Sequence, residues 1–282
     1  MNDALAAARA AFVAACTLDV VVRKPGNVSF ASAGHGMQAQ QFITSAAAAA
    51  GPLFEPGARI GQRIEGAVQA SWQSVGCNTN LGIVLLCAPI AAAAQRSAGP
   101  VDAPAIAAVL AQLDVHDAEA AYRAIVLANP GGLGAAAAQD VHAPPSVTLR
   151  EAMALAAPRD MIARQYANDF RDLVEGAARV QLPGFSRMLR GAAALVEPAL
   201  AAAVQRVYLH WLAHWPDSHI VRKHGEAVAQ TVMRAAQAWE GVAEPQYDPA
   251  YAAWDESLKA ARINPGTSAD LTVATLLLAA LR

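Results

Sequence analysis

The sequence predicts an all-α fold, a single compact domain over residues 1–282 built from roughly ten to twelve helices of ordinary length. Three observations predict it. The background is rich in Ala, the best helix former. Apolar residues recur at intervals of three and four. No run alternates apolar and polar residues over the length of a strand, and Val20-Val21-Val22 is too short to count as one.

Taken in order, Leu5, Ala8, Phe12, Ala15 and Asp19 share the face of a first helix. Ile60, Ile64, Val68, Trp72 and Val75 form a second stripe, and Ile106, Val109, Leu110 and Leu113 a third. Tyr122, Ile125 and Val126 mark another, and Ile162, Tyr166, Phe170 and Leu173 continue the pattern. Leu200 to Trp215 reads as a largely apolar, central helix. Tyr251, Trp254 and Leu258 precede a last helix starting near Ser268. Gly, Pro and polar clusters place loops at 24–36, 51–57, 95–104, 129–145, 181–184, 215–218 and 262–267. The 129–145 segment is the longest, and loops of that length are often functional or mobile.

Composition bounds the function. Hydrophobic residues make up 55% and charged residues 16%, which excludes disorder. The net charge of −2 provides no global basic field, so no nucleic-acid partner is expected and anionic ligands need local cations. The cysteines, Cys16, Cys77 and Cys87, are odd in number and form no CxxC pair. Neither a disulfide framework nor a zinc site is expected, and a reducing compartment is. The longest apolar run, Leu81 to Ala94, is interrupted by Pro89 and falls short of the roughly 18 residues of a membrane helix. The N-terminus reads as an Ala-rich helix with Asp3 and Arg9, not a signal peptide. The expectation is a soluble cytoplasmic protein with no membrane partner.

Four polar runs interrupt the apolar background. Asp19 closes the first helix on its apolar face, where burial and the helix dipole both disfavour a carboxylate. It needs a cation, either Lys24 in an ion pair across the turn or a metal. Lys24-Pro25-Gly26-Asn27 has the make-up of a rigid anion loop, with fixed φ at Pro, close backbone approach at Gly and a point charge at Lys. His35 follows between two glycines. Gly76-Cys77-Asn78-Thr79-Asn80-Leu81-Gly82 leads into a buried helix, whose free N–H groups suit phosphate or ribose. An elaborate N-cap explains one of its three polar residues, and Cys77 reads as a packed thiol.

Further along, Thr148 and Glu151 form a capping box, and Arg159 and Asp160 read as a surface ion pair. The run from Asp217 to Gly225 concentrates charge, with Arg222 or Lys223 as a phosphate contact. Asn264-Pro265-Gly266-Thr267-Ser268-Ala269-Asp270 enters the last helix. There Asp270 is either a cap partner of Thr267 or a ligand of nucleotide-bound Mg²⁺.

These runs together resemble the triphosphoribosyl-dephospho-coenzyme A synthase family. Arg23-Lys24-Pro25-Gly26-Asn27-Val28-Ser29 is similar to the family's PKPGLVD. Gly34-His35-Gly36-Met37-Gln38 with Phe42-Ile43-Thr44-Ser45-Ala46 resembles GAHRDMD…FxxSA, and Gly76 to Gly82 resembles GVNTHKG. The 129–134, 159–166 and 264–271 runs look like a shorter-loop branch associated with one-carbon carrier cofactors. The chain departs from the pattern at Gly36 and Gln38, which replace an acidic pair, and at Asn80-Leu81, which replace His-Lys.

The resemblance implies transfer of the triphosphoribosyl part of ATP to a ribose hydroxyl of dephospho-coenzyme A, with adenine leaving. It implies Asp19, His35 and Asp270 in catalysis, and Lys24, Gly26, Asn27, Asn78, Thr79, Asn80, Arg222, Lys223, Asn264, Gly266 and Thr267 at phosphate or nucleotide. Mg²⁺ would accompany ATP on Asp19 and Asp270, and Glu65 is a weaker candidate. Two alternatives stay open. One is a transferase in assembly of a tetrahydromethanopterin- or methanofuran-type cofactor, working on a phosphorylated intermediate. The other is a nucleotide- or cofactor-binding subunit without catalysis. An apolar face left over after folding would make a homodimer.

Overall fold

Fifteen α-helices and one 3₁₀ turn, with no strand, make up the described residues of the computed structural model, 3–97, 99–136, 138–190 and 196–282. Ala98 and Ala137, inside two predicted loops, lie outside them. The helices are α1 Asp3–Val21, α2 Ala39–Leu53, α3 Ile60–Val75, α4 Leu81–Arg96, α5 Ala103–Leu110, α6 Val115–Ala128, α7 Leu149–Ala156 and α8 Met161–Ala167. They continue as α9 Arg171–Ala178, α10 Phe185–Leu189, α11 Pro198–His214, α12 Ser218–His224, α13 Glu226–Gln237, α14 Pro249–Ala260 and α15 Gly266–Ala280. The count exceeds the predicted range because short helices fill stretches with too few residues to show a period. One predicted stripe also breaks in two. Asp169 and Phe170 both take positive φ (57° and 59°) and separate α8 from α9, yet Tyr166 and Phe170 are both buried in the same core. The predicted 51–57 loop starts later, because α2 runs through Pro52 to Leu53.

α4 and α15 form the centre. From Leu81 to Ala94 every residue of α4 is buried, and α15 is buried over most of its length. Small Ala side chains let α1, α4 and α15 pack closely, and Phe12, Leu18, Val84, Leu86, Val273 and Leu277 fill the space between. α1 is apolar and long enough to cross a membrane by length and composition, but 56% of its 18-residue window is buried in this core.

Buried polar groups tie the helices together. Pro89 inside α4 has no N–H to donate to the Leu85 carbonyl four residues back. The Tyr166 hydroxyl of α8 donates to that carbonyl at 2.6 Å. The Trp211 indole of α11 donates to Thr275 of α15 at 3.0 Å. A second apolar cluster, around Tyr208, Leu212, Tyr251 and Leu258, joins α11 to α13 and α14.

Candidate active site

A cleft of about 610 Å³ opens where the starts of α4, α8 and α15 meet α12 and the loops at 24–36 and 129–140. That volume is ordinary for a small-molecule site. Of the residues singled out from sequence, Asp19, Asn27, His35, Asn78, Thr79, Asn80, Arg222, Lys223, Asn264, Gly266 and Asp270 line it. Lys24, Gly26 and Thr267 do not.

Lys24 is fully buried, and its ammonium pairs with Asp19 Oδ1 at 3.0 Å, donates to the Asp19 carbonyl and lies over the Tyr208 ring. The structural ion pair across the turn is therefore what forms, and Lys24 has no free charge for a phosphate. Gly26 is likewise closed off by protein. Its N–H donates to Asp255 Oδ1 at 2.8 Å. At φ +79° an added Cβ would lie 2.7 Å from the Pro265 ring and 2.9 Å from the Ile263 carbonyl. The loop is further stitched by Tyr208 to the Pro25 carbonyl at 2.6 Å and by Gln205 to the Arg23 carbonyl at 3.0 Å. Glycine here admits a neighbouring chain segment rather than a ligand. Thr267 accepts from the His219 N–H at 3.2 Å, so it joins α12 to α15 and does not cap Asp270.

The Asn78–Asn80 run divides its duties. Asn78 Oδ1 accepts from the N–H of Leu81, the first residue of α4, at 3.2 Å, whereas the N-cap residue itself, Asn80, makes no side-chain cap bond. Thr79 donates to Ser45 at 2.6 Å, and Asn80 Nδ2 donates to Ser71 at 3.0 Å. All three residues line the cleft, while the Thr79 and Asn80 side chains anchor α4 to α2 and α3. Asn27 Nδ2 donates to Asn264 Oδ1 at 3.1 Å and links the first polar run to the last, while its own amide oxygen is buried without a partner.

Asp270 is the most telling group. Among the described residues its carboxyl accepts no hydrogen bond and meets no ion-pair partner, and an added Cβ at Gly82 would collide with it. Burial pushes its pKa well above the usual carboxylate range, and the charges of Asp19 and Asp217 push the same way. Burial also raises the Asp19 pKa, against the opposing pull of Lys24. Two near carboxyls, Asp19 buried and paired with Lys24, and Asp270 half-buried on the cleft wall with the Arg222 charge acting on it but no ion pair among the described residues, are a donor set of hard oxygens that fits Mg²⁺.

The cations sort themselves by partner. Arg222 is committed to Asp160 at 2.7 Å, which replaces the expected Arg159–Asp160 pair. Arg159 and Lys223, both exposed, line the cleft with no carboxylate partner among the described residues. Lys223 lies across the glycine loop, where a Cβ on Gly131 would be 2.6 Å from its Cε. His35 holds positive φ (56°) and bonds the Gly26 carbonyl through Nε2 at 2.8 Å. Burial lowers its pKa, and Lys223 adds to the effect, so the ring stays neutral at neutral pH.

His219 and Asp217 were not singled out from sequence. The His219 pKa is pushed down to about 3, by burial first and then by Lys223 and Arg222, and its Nε2 is buried without a partner. Asp217 is buried and accepts from the His219 and Ile220 N–H groups at 2.9 and 3.1 Å, and from the Ser268 N–H and hydroxyl at 2.7 and 2.8 Å. It fastens α12 to α15. Glu65 lies away from the cleft, in a two-point ion pair with Arg123 at 2.7 Å. Cys77, half-buried, accepts from Gln41 at 3.6 Å, in keeping with a packed thiol.

No curated protein matches the chain in sequence. In structure it is similar to a candidate triphosphoribosyl-dephospho-CoA synthase from Archaeoglobus fulgidus, with a TM-score of 0.61 and 24% identity over 85% of this chain and 98% of that one, a likeness of fold. The family model for ATP:dephospho-CoA triphosphoribosyl transferase, CitG, matches residues 5–282, and the chain belongs to that family.

Proposed function

We propose that this chain transfers the triphosphoribosyl group of ATP to a hydroxyl of a dephospho-coenzyme A-type acceptor, releasing adenine, inside the cleft between α4, α8, α12 and α15. The observation that supports it most is convergence. Polar runs separated by as many as 251 residues in sequence, from Asp19 to Asp270, line one small-molecule-sized cavity in a chain of this family.

In such a transfer the bond from the anomeric carbon to adenine breaks and a bond to the acceptor oxygen forms. The acceptor hydroxyl gives up a proton and adenine takes one. The sugar passes through an oxocarbenium-like state. His35, kept neutral and held through Nε2 on the Gly26 carbonyl, has Nδ1 left to accept the acceptor's proton. Lys223 and Arg159 supply the uncommitted positive charge for a triphosphate, and Arg222, already paired with Asp160, sets the position of its helix instead. Asp270 and Asp19 would hold Mg²⁺, which supplies charge neutralisation on the phosphates when bound. The neutral His219 ring offers Nε2 to a ligand as a hydrogen-bonding group.

The test is to incubate the protein with ATP, Mg²⁺ and dephospho-coenzyme A and measure free adenine. Adenine release that falls by about 10²–10⁴-fold in H35Q, the variant of the proton acceptor, and is lost in D270N supports the reading. Release of ADP or phosphate instead would move the chain to a kinase-like or ligase-like transferase on a one-carbon cofactor intermediate. Tight nucleotide binding without turnover would make it a binding subunit. That second reading is favoured by the structural use of Thr79 and Asn80.

A further inference from the structure

Away from the cleft, the last turn of α11 presents His210 and His214 four residues apart, so both imidazoles lie on one face. Their ring centroids are 4.5 Å apart. Glu240, in the turn that follows α13, brings Oε1 to 3.4 Å from His214 Nδ1. One donor atom from each of the three side chains lies within 4.8 Å of the other two. None of the three lines the cleft.

From this cluster we infer that His210, His214 and Glu240 form a binding site for a divalent transition-metal cation of the zinc class. The chemistry of the donors selects the metal. Two imidazoles and a carboxylate suit Zn²⁺, Ni²⁺ or Cu²⁺, whereas Mg²⁺ and Ca²⁺ prefer oxygen alone. His214 Nδ1 lies 2.9 Å from the His210 carbonyl. A carbonyl can only accept, so Nδ1 bears the proton and Nε2 carries the lone pair. That is the arrangement by which proteins usually orient a metal-bound imidazole.

The backbone favours a cation here, because the site sits at the C-terminal end of a 17-residue helix, where the dipole is negative. Ligand bonds of about 2.0–2.2 Å to a tetrahedral ion require donors about 3.3 Å apart. With the His214 ring held by its bond to the His210 carbonyl, rotation of the exposed Glu240 side chain from beside Nδ1 toward Nε2 would close the difference. The fourth position faces solvent and would carry water. The metal would clip α11 to the turn after α13, a junction already made by Gln237 donating to the Ala213 carbonyl at 3.0 Å.

The experiment uses the tag-free full chain, freed of metal by chelation, and Zn²⁺ as probe in calorimetry. Cu²⁺ quenching of tryptophan emission gives a second readout, because Trp215 lies with its ring centroid 5.7 Å from those of both His210 and His214. We expect one equivalent of Zn²⁺ at micromolar affinity, a melting temperature raised by bound metal, and no displacement by excess Mg²⁺. E240Q should weaken binding by about 10–100-fold, and H210Q and H214Q by at least that much. His214 and Glu240 are exposed, so H214Q and E240Q should keep the parent's cooperative melt without metal. Absence of Zn²⁺ binding at 100-fold the expected concentration, about 100 µM on the scale of the expected affinity, would overturn the site. So would Cu²⁺ quenching that survives in H214Q, binding as tight in E240Q as in the parent, or displacement by Mg²⁺. Adenine release plays no part in this readout, so it stands or falls apart from the proposed reaction.

Discussion

At the scale of single residues, the site is governed by which charges already have partners. His219 is the clearest case. The unfolded chain takes up a proton on this ring near pH 6.5, but the folded ring resists it down to about pH 3. The unfolded state therefore binds more protons in that window, and stability falls as pH drops from 6.5 toward 3. H219Q should flatten this part of the curve, as measured by thermal unfolding between pH 3 and 7; an unchanged slope would mean that the ring is already protonated in the folded state. The sequence showed which residues are polar in an apolar setting but not which of them are spent. Lys24 reads equally well as a phosphate hand or as the partner of Asp19, and only burial decides for the ion pair. His219 and Asp217 escaped notice because their roles depend on Thr267 and Ser268, about fifty residues away.

Among the helices, α4 shows how a local rule can be broken and repaired. Pro89 takes a hydrogen bond away from the Leu85 carbonyl in a wholly buried helix, and Tyr166 restores one from α8. Y166F keeps the ring and deletes the repair, leaving a buried carbonyl unpaired. It should cost about 1–3 kcal/mol, read as a lower denaturant midpoint with an unchanged slope. A loss well under this would mean that water reaches the carbonyl. The long helices were legible because their apolar spacing is sustained: α1, α3, α11 and α14 fall where the stripes predict. The short ones, such as α10 and α12, have too few turns to show a period. The break at Asp169–Phe170 is invisible for a different reason, because the segments on both sides bury residues in one core and the spacing runs on across it. The paired imidazoles of α11 gave no signal in the sequence, because their third neighbour, Glu240, lies in a turn beyond the next two helices.

For the molecule as a whole, the cleft sets catalysis against stability. The pKa of Asp270 is raised above its ordinary 3.8 by burial and by neighbouring carboxylates. The folded state therefore holds this proton at a higher pH than the unfolded state does. Stability drops as pH rises from about 4 through the raised pKa. D270N removes that charge, so it should melt at a higher temperature than the parent at pH 7 to 8 while losing adenine release, the expected trade at a functional site. A D270N protein that melts lower would mean that the carboxylate is compensated in the free protein. The all-α class and the family were legible from composition and joint motifs; of the four groups expected to share one pocket, Asn78, Arg222 and Asp270 line the cleft and Lys24 does not, because it is buried against Asp19.

The interlock at Gly26 has an implication for biosynthesis. The loop after the first helix finds its bond partner at Asp255, 229 residues further along, and its steric neighbours at Ile263 and Pro265. A growing polypeptide cannot complete this interlock until those residues have emerged, so until then the early helices must wait, with this turn unanchored, for their distant complement.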